Sequence, residues 1–193
     1  MSDLLKRLKD TGHVIPMTSE ISRYLEKCYQ YAAKNSPDLS TKNAALLLHE
    51  PTKRIVAIGT NTFPQGIKIT QERLSTRPDK YFFTEHAERI VISNAYNTGI
   101  TNFSEITMFC PWYACHDCGR AILNTQTLNK VVGHLSPTIW DQEAAQIKGQ
   151  PDWATSIEAA FDMFDERGIE YYFAEGNLEN SIPNLHQGKI YNP

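Results

Sequence analysis

The sequence predicts a three-layer α/β/α sandwich built on a mixed sheet of five strands. Three observations carry that expectation. In the second half, strand-like apolar runs alternate with helical periodicities, which implies right-handed crossovers and parallel pairing. In the first half, two apolar runs flank a short polar turn, which implies an antiparallel hairpin. A chain of 193 residues that is 41% hydrophobic and 21% charged has the material for one domain with a sizeable core.

Residues 1–17 read as an N-terminal extension carrying a short amphipathic helix around Leu4, Leu5 and Leu8. From Thr18 the pattern turns helical. Ile21, Tyr24, Leu25, Cys28, Tyr31 and Ala32 recur at three- and four-residue spacing, and Pro37 lies just past the end. Residues 44–48 and 55–59 are the two hairpin strands, joined through HEPTKR, and the loop GTNTFPQG (59–66) follows. Thr84 is the expected N-cap of a helix running through His86 and Ile92 to about residue 96, with Gly99 near its stop. Residues 106–110 read as a strand, 115–124 as a helix and 130–135 as a strand. The stretch 153–167 has helical periodicity through Ile157, Ala160, Phe161 and Phe164; Gly168 ends it and 169–173 form the last strand. The expected organisation is thus an extension (1–17), one domain (18–175) and a polar, turn-rich C-terminal tail (176–193) that wraps the surface or moves.

The formal net charge is −3 with both signs interspersed, so the expected partner is not a nucleic acid, whose binders show a basic excess or stripe. A small phosphorylated ligand needs only one or two well-placed cations. No run approaches the roughly 18 apolar residues of a membrane span, and the first residues lack a continuous apolar signal core. The expected location is the cytoplasm, with no membrane partner. The four cysteines are Cys28, Cys110, Cys115 and Cys118. In such a chain a close pair points to metal or redox chemistry rather than a structural disulfide.

Two stretches carry the chemistry: FFTEHAERI (82–90) and CPWYACHDCGRAI (110–122). Cys115 and Cys118, three apart at a helix start, can turn both sulfurs to one face, where the helix dipole favours thiolate. His86 begins the other helix. One imidazole and two thiolates leave a fourth tetrahedral position open, which is the pattern of catalytic rather than structural zinc. Glu88, two residues from His86, is placed to exchange a proton with water there without itself being a ligand. Two blander readings stay open. Half of a structural zinc site would need a second pair, which Cys28 and Cys110 are poorly spaced to supply. A redox pair would leave His86 and Glu88 without a purpose. His116, between the cysteines, reads as exposed or supporting rather than as a ligand.

His-x-Glu followed by Cys-x-x-Cys is the arrangement of zinc nucleobase deaminases, and the chain resembles the deoxycytidylate (dCMP) deaminase family of the zinc-dependent cytidine deaminase superfamily. The likeness runs from about residue 18 to 173 through GTNTFPQG, RLSTRPDKYFFTEHAERIVISNA, CPWYACHDCGRAI, VVGHL and DWATSIEAAFDMFDERGIE. The resemblance implies a cytidine deaminase-like fold, a Zn2+ cofactor on His86, Cys115 and Cys118, proton transfer by Glu88, and conversion of dCMP to dUMP; the alternatives are a deaminase of another base, nucleoside, modified dCMP or nucleic-acid base, or a non-catalytic nucleotide-binding relative. It implies that Asn61, in the Gly-x-Asn-x-x-Pro loop, contacts the sugar or pyrimidine. The Cys115 amide and a carbonyl near Ala87 would help hold the ring. It also implies a small-molecule nucleotide as partner and a homo-oligomer, with contacts from 136–152 and both termini. The family usually has proline where Ala114 stands, and Asn-Ala where Ile90-Val91 stand. Phe63, Trp112 and Tyr113 are candidates for a wall against the base, or for plain core packing. Lys68, Arg73, Arg77, Lys80 and Arg89 are the candidate phosphate cations.

Overall fold

A computed structural model of the chain describes residues 3–135, 152–180 and 182–193. The elements run α1 (Asp3–Asp10), β1 (Val14–Pro16), α2 (Ser19–Asn35), β2 (Ala44–His49), β3 (Arg54–Thr60), α3 (Gln71–Ser75), α4 (Lys80–Phe83), α5 (Ala87–Asn97) and β4 (Ile106–Phe109). They continue with α6 (His116–Asn124), β5 (Lys130–His134), α7 (Trp153–Arg167), β6 (Glu170–Glu175), β7 (Asn184–His186) and β8 (Lys189–Tyr191). The sheet order is β1-β6-β5-β4-β2-β3. β2 is antiparallel to β3 and to β4, while β4, β5, β6 and β1 are parallel. The mixed α/β sandwich is as expected, but the sheet has six strands rather than five. The extra strand, β1, falls within residues 1–17. At three residues it is too short to show the period-2 alternation by which strands are recognised.

Strand alternation sends side chains to two separate cores. On one face Leu47, Met108, Val131, Tyr171 and Phe173 meet α1, α5, α6 and α7 through Leu8, Val91, Ile122 and Phe161. On the other, Leu46, Leu48, Phe109 and Val132 meet Leu25, Cys28, Tyr29 and Ala32 of α2. Leu4 and Leu8 of the N-terminal segment are therefore core residues, 2% and 0% exposed. Thr18, where the helical pattern begins, caps α2, its hydroxyl accepting from the Ile21 amide at 3.3 Å. Gly168 ends α7 with φ +70°, a conformation that glycine adopts without strain.

One cap differs from expectation. Thr84 closes the short helix α4 rather than opening α5, which begins at Ala87 with His86 in the N-cap position. The segment between the two helices is extended because it is pinned elsewhere. Thr62 and Glu85 exchange backbone hydrogen bonds at 3.1 and 2.7 Å, tying it to the loop after β3. Of the expected oligomer contact at 136–152, residues 136–151 lie outside the described residues. Among the described residues no helix is long and apolar enough to cross a membrane.

Candidate active site

His86 and Cys115 occupy N-cap positions of α5 and α6, so two helix starts meet at one point. Arg89 ties them together, pairing with Glu85 and lying 3.7 Å from Asp117 at the start of α6. His116 links α6 to α7: its backbone amide donates to the Ser156 hydroxyl at 3.2 Å, and its ring nitrogen lies 2.6 Å from the same oxygen. Gly119 permits the close approach of these helices, since a Cβ there would lie 3.1 Å from that of Ala160.

The three ligand atoms of His86, Cys115 and Cys118 lie within 4.8 Å of one another. His86 Nδ1 is 3.5 Å from Cys115 Sγ and 3.4 Å from Cys118 Sγ. Tetrahedral zinc with ordinary Zn–S and Zn–N bonds places its sulfur and nitrogen ligands about 3.6 Å apart. The triad therefore has the spacing that a zinc ion requires. Its electrostatics agree. A hydrogen bond from Cys118 holds the Cys115 thiol down to about 3 against the opposing effect of burial, with His86 assisting. Burial pushes the Cys118 thiol up. Burial opposes the charged form of His86, but the neighbouring Cys115 outweighs it and raises the imidazole. The set is a soft, partly anionic donor group suited to zinc.

Glu88, in the first turn of α5, is only 2% exposed. Burial raises its carboxyl to about 7, against the lowering effect of His86. Near neutral pH such a group can both take and give a proton.

His86, Glu88 and Cys115 open into one pocket together with Asn61, Ala87, Trp112 and Tyr113, so the expected site residues are brought to one place. Their contacts differ in kind. The Asn61 amide donates to Asp38 Oδ2 at 3.2 Å and to the Thr41 carbonyl at 2.7 Å; its oxygen accepts from Ser36 Oγ at 2.7 Å and the Asn43 amide at 2.9 Å. That side chain holds the 36–43 segment in shape. Tyr113 borders the pocket but stacks into the core, its ring 4.0 Å from Phe173 and 4.2 Å from Phe161. Trp112 lies under His186 at 4.3 Å between rings. Phe63 is buried against Phe83 at 6.0 Å between rings.

Of the five candidate cations, Arg77 and Lys80 line the pocket. Arg73 lies over the Phe83 ring and donates to the Lys68 carbonyl, and Arg89 serves the helix tie already described. Sequence reasoning did not single out Tyr81, Trp153, His186 or Gln187, which complete the wall. Trp153 packs its ring 5.8 Å from that of His86 and 6.0 Å from that of Tyr81. Trp153 begins α7, and no spacing to a chemical partner marks it.

The model of the cytidine and deoxycytidylate deaminase zinc-binding region matches residues 18–134. No curated protein matches significantly in sequence. Similar solved folds include the dCMP deaminase of cyanophage S-TIM5 in apo form, with TM-score 0.55 and 19% identity over 81% of this chain and 99% of that one. The same enzyme in complex with dCMP and dUMP matches with TM-score 0.56 and 20% identity over 81% and 98%. A bifunctional diaminohydroxyphosphoribosylaminopyrimidine deaminase and 5-amino-6-(5-phosphoribosylamino)uracil reductase from Thermotoga maritima matches with TM-score 0.52 and 17% identity, over 79% of this chain but 36% of that one.

Proposed function

The chain belongs to the cytidine and deoxycytidylate deaminase family, whose zinc-binding region it carries over residues 18–134, and from that premise we propose that it hydrolyses dCMP to dUMP and ammonia. The observation that carries the deaminase chemistry is the His86, Cys115 and Cys118 triad with Glu88 in the same pocket. The choice of dCMP is supported by the Gly-x-Asn-x-x-Pro loop around Asn61 and by size. The similar fold from cyanophage S-TIM5 that this chain matches over nearly its full length is a dCMP deaminase.

In this reading His86, Cys115 and Cys118 hold zinc. Bound zinc supplies Lewis acidity, lowering the cost of deprotonating water near neutral pH. Glu88 takes a proton from the attacking water and passes it to the pyrimidine ring nitrogen. Glu88 then takes the remaining proton from the hydroxyl added to the ring carbon and gives it to the exocyclic amine, so that the C–N bond breaks, ammonia leaves and the ring carbon becomes a carbonyl. Ala87 and the Cys115 amide border the ring, and Trp112 and Trp153 give it apolar walls that exclude water. Asn61 is a positioning residue, acting through the 36–43 segment that it fixes. The partner is a small nucleotide. Cytoplasmic location and self-association accord with this role.

Ammonia release by the zinc-loaded protein tests it, with dCMP beside cytidine, deoxycytidine, dCTP, cytosine and guanine. The expected result is preferential turnover of dCMP. Preference for another member of the panel would overturn the substrate and leave the deaminase chemistry in place.

A further inference from the structure

The C-terminal hairpin β7–β8 lies beyond the family-matched region, yet it forms part of the pocket wall. It is fastened to the 38–42 segment by three hydrogen bonds. The Lys42 amide donates to the Leu185 carbonyl at 2.9 Å, the Gly188 amide to the Ser40 carbonyl at 2.8 Å, and the Gln187 amide to the Thr41 hydroxyl at 3.1 Å. Its two turn residues, Gln187 and Gly188, have φ of +48° and +77°. Positive φ at both positions is the signature of a type I′ turn, which favours Asn, Asp or Gly at the first position. Glutamine there is strained, and strain kept beside an active site invites a functional reading. The side chain supplies one. Its Nε2 is buried at the pocket without a hydrogen-bond acceptor among the described residues, and so is Nε1 of Trp112.

The same 38–42 segment anchors Arg77, whose guanidinium donates to Ser40 Oγ at 3.0 Å and to the Tyr81 hydroxyl at 3.1 Å. Among the described residues no carboxylate pairs with Arg77. The nearby Asp38 is already engaged by Lys80 at 3.0 Å, by Asn61 and by the amides of Ser40 and Thr41. Asp38 and Lys80 cancel in charge, so this wall keeps one net positive charge from Arg77. The same pocket is lined by the Gln187 amide and the Trp112 indole, whose N–H donors lack acceptors among the described residues. Three N–H-donating side chains with a net positive charge among them suit an anion with several acceptor oxygens.

We propose that Arg77 and Gln187 form the phosphate-recognition pole of the pocket and thereby select nucleoside monophosphates over nucleosides. The proposal rests on the nucleotide-deaminase reading. The hairpin is then a specificity element, delivering one donor to a pocket whose metal ligands come from α5 and α6.

Calorimetric titration of the zinc-loaded full chain with dUMP and with deoxyuridine tests this. The unreacting pair isolates phosphate recognition from turnover. Wild type is expected to bind dUMP about 100-fold more tightly than deoxyuridine, the range for charge-assisted hydrogen bonds. Arg77→Gln removes most of that ratio, and Arg77→Lys, which keeps the charge without the planar fork, retains part of it. Gln187→Gly weakens dUMP by about 10-fold while raising the unfolding midpoint of the ligand-free protein, because glycine relieves the strained turn. A merely structural glutamine would not give that opposition of signs. An undiminished ratio in both Arg77→Gln and Gln187→Gly would overturn the assignment and leave the nucleotide reading standing. Equal affinities in wild type would overturn both.

Discussion

His186 brings an imidazole into the pocket wall against Trp112, and burial pushes it down to about 4. His134, buried between the Tyr29 hydroxyl and the Gly176 carbonyl, is lowered in the same direction by the same cause. A histidine whose folded-state pKa lies below its unfolded value binds fewer protons when folded. Its contribution to stability is present above about pH 6.5 and is lost as the pH falls toward 4. Thermal unfolding followed from pH 7.5 to 5 is therefore expected to show a falling midpoint, with a shallower fall for His186→Phe, which keeps an aromatic ring and removes the titration. An unchanged slope in that variant would exclude His186 as a contributor. At this scale the sequence was most legible where spacing alone decides chemistry. His86, Glu88, Cys115 and Cys118 are each two or three positions from a partner of the right type. Arg77 and Gln187 were not legible in the same way: they are 110 positions apart in the chain and line one pocket because Arg77 docks on Ser40 and Gln187 on Thr41.

Helix α5 carries both His86 and Glu88, and its seat on the sheet depends on Gly59 of β3. A Cβ at that position would stand 2.7 Å from Ile90 Cγ2 and 2.9 Å from the Val91 backbone nitrogen. The side-chain contact could yield, but the backbone one cannot without shifting the helix. Gly59→Ala is expected to cost about 1–3 kcal/mol of stability, the range for overpacking, and to lower turnover by displacing the zinc ligand and proton carrier together. Denaturant unfolding and a rate measurement on the same sample check this; a variant as stable and active as wild type would show that α5 is not so seated. Elements of this length were readable because apolar period and stop signals agree, as in α2 and α7. The short α3, α4, β1 and the β7–β8 hairpin were not, since three to five residues hold no more than about one and a half repeats of either pattern. The beginning of α5 was misplaced for a related reason. Thr84 has the chemistry of an N-cap, but a long-range pairing between Thr62 and Glu85 holds the next residues extended.

The molecule as a whole joins two halves of different origin. The zinc-binding half is local, made by two helix starts on one face of the sheet. The pocket wall is distributed over the 38–43 segment, Arg77 and Lys80, Trp153 of α7 and the C-terminal hairpin. Alternating helices and strands made the fold class legible, whereas the far wall of the pocket depends on tertiary docking that no period announces. Glu88 stands where the halves meet, and the proposed chemistry depends on its carboxyl. The most direct measurement is therefore the rate of dCMP deamination by zinc-loaded wild type and by Glu88→Gln, each with its zinc content determined. Equal zinc with a rate at least about 100-fold lower in the variant is the expected result. Equal zinc with an unchanged rate would contradict Glu88 as the proton carrier and with it the mechanism.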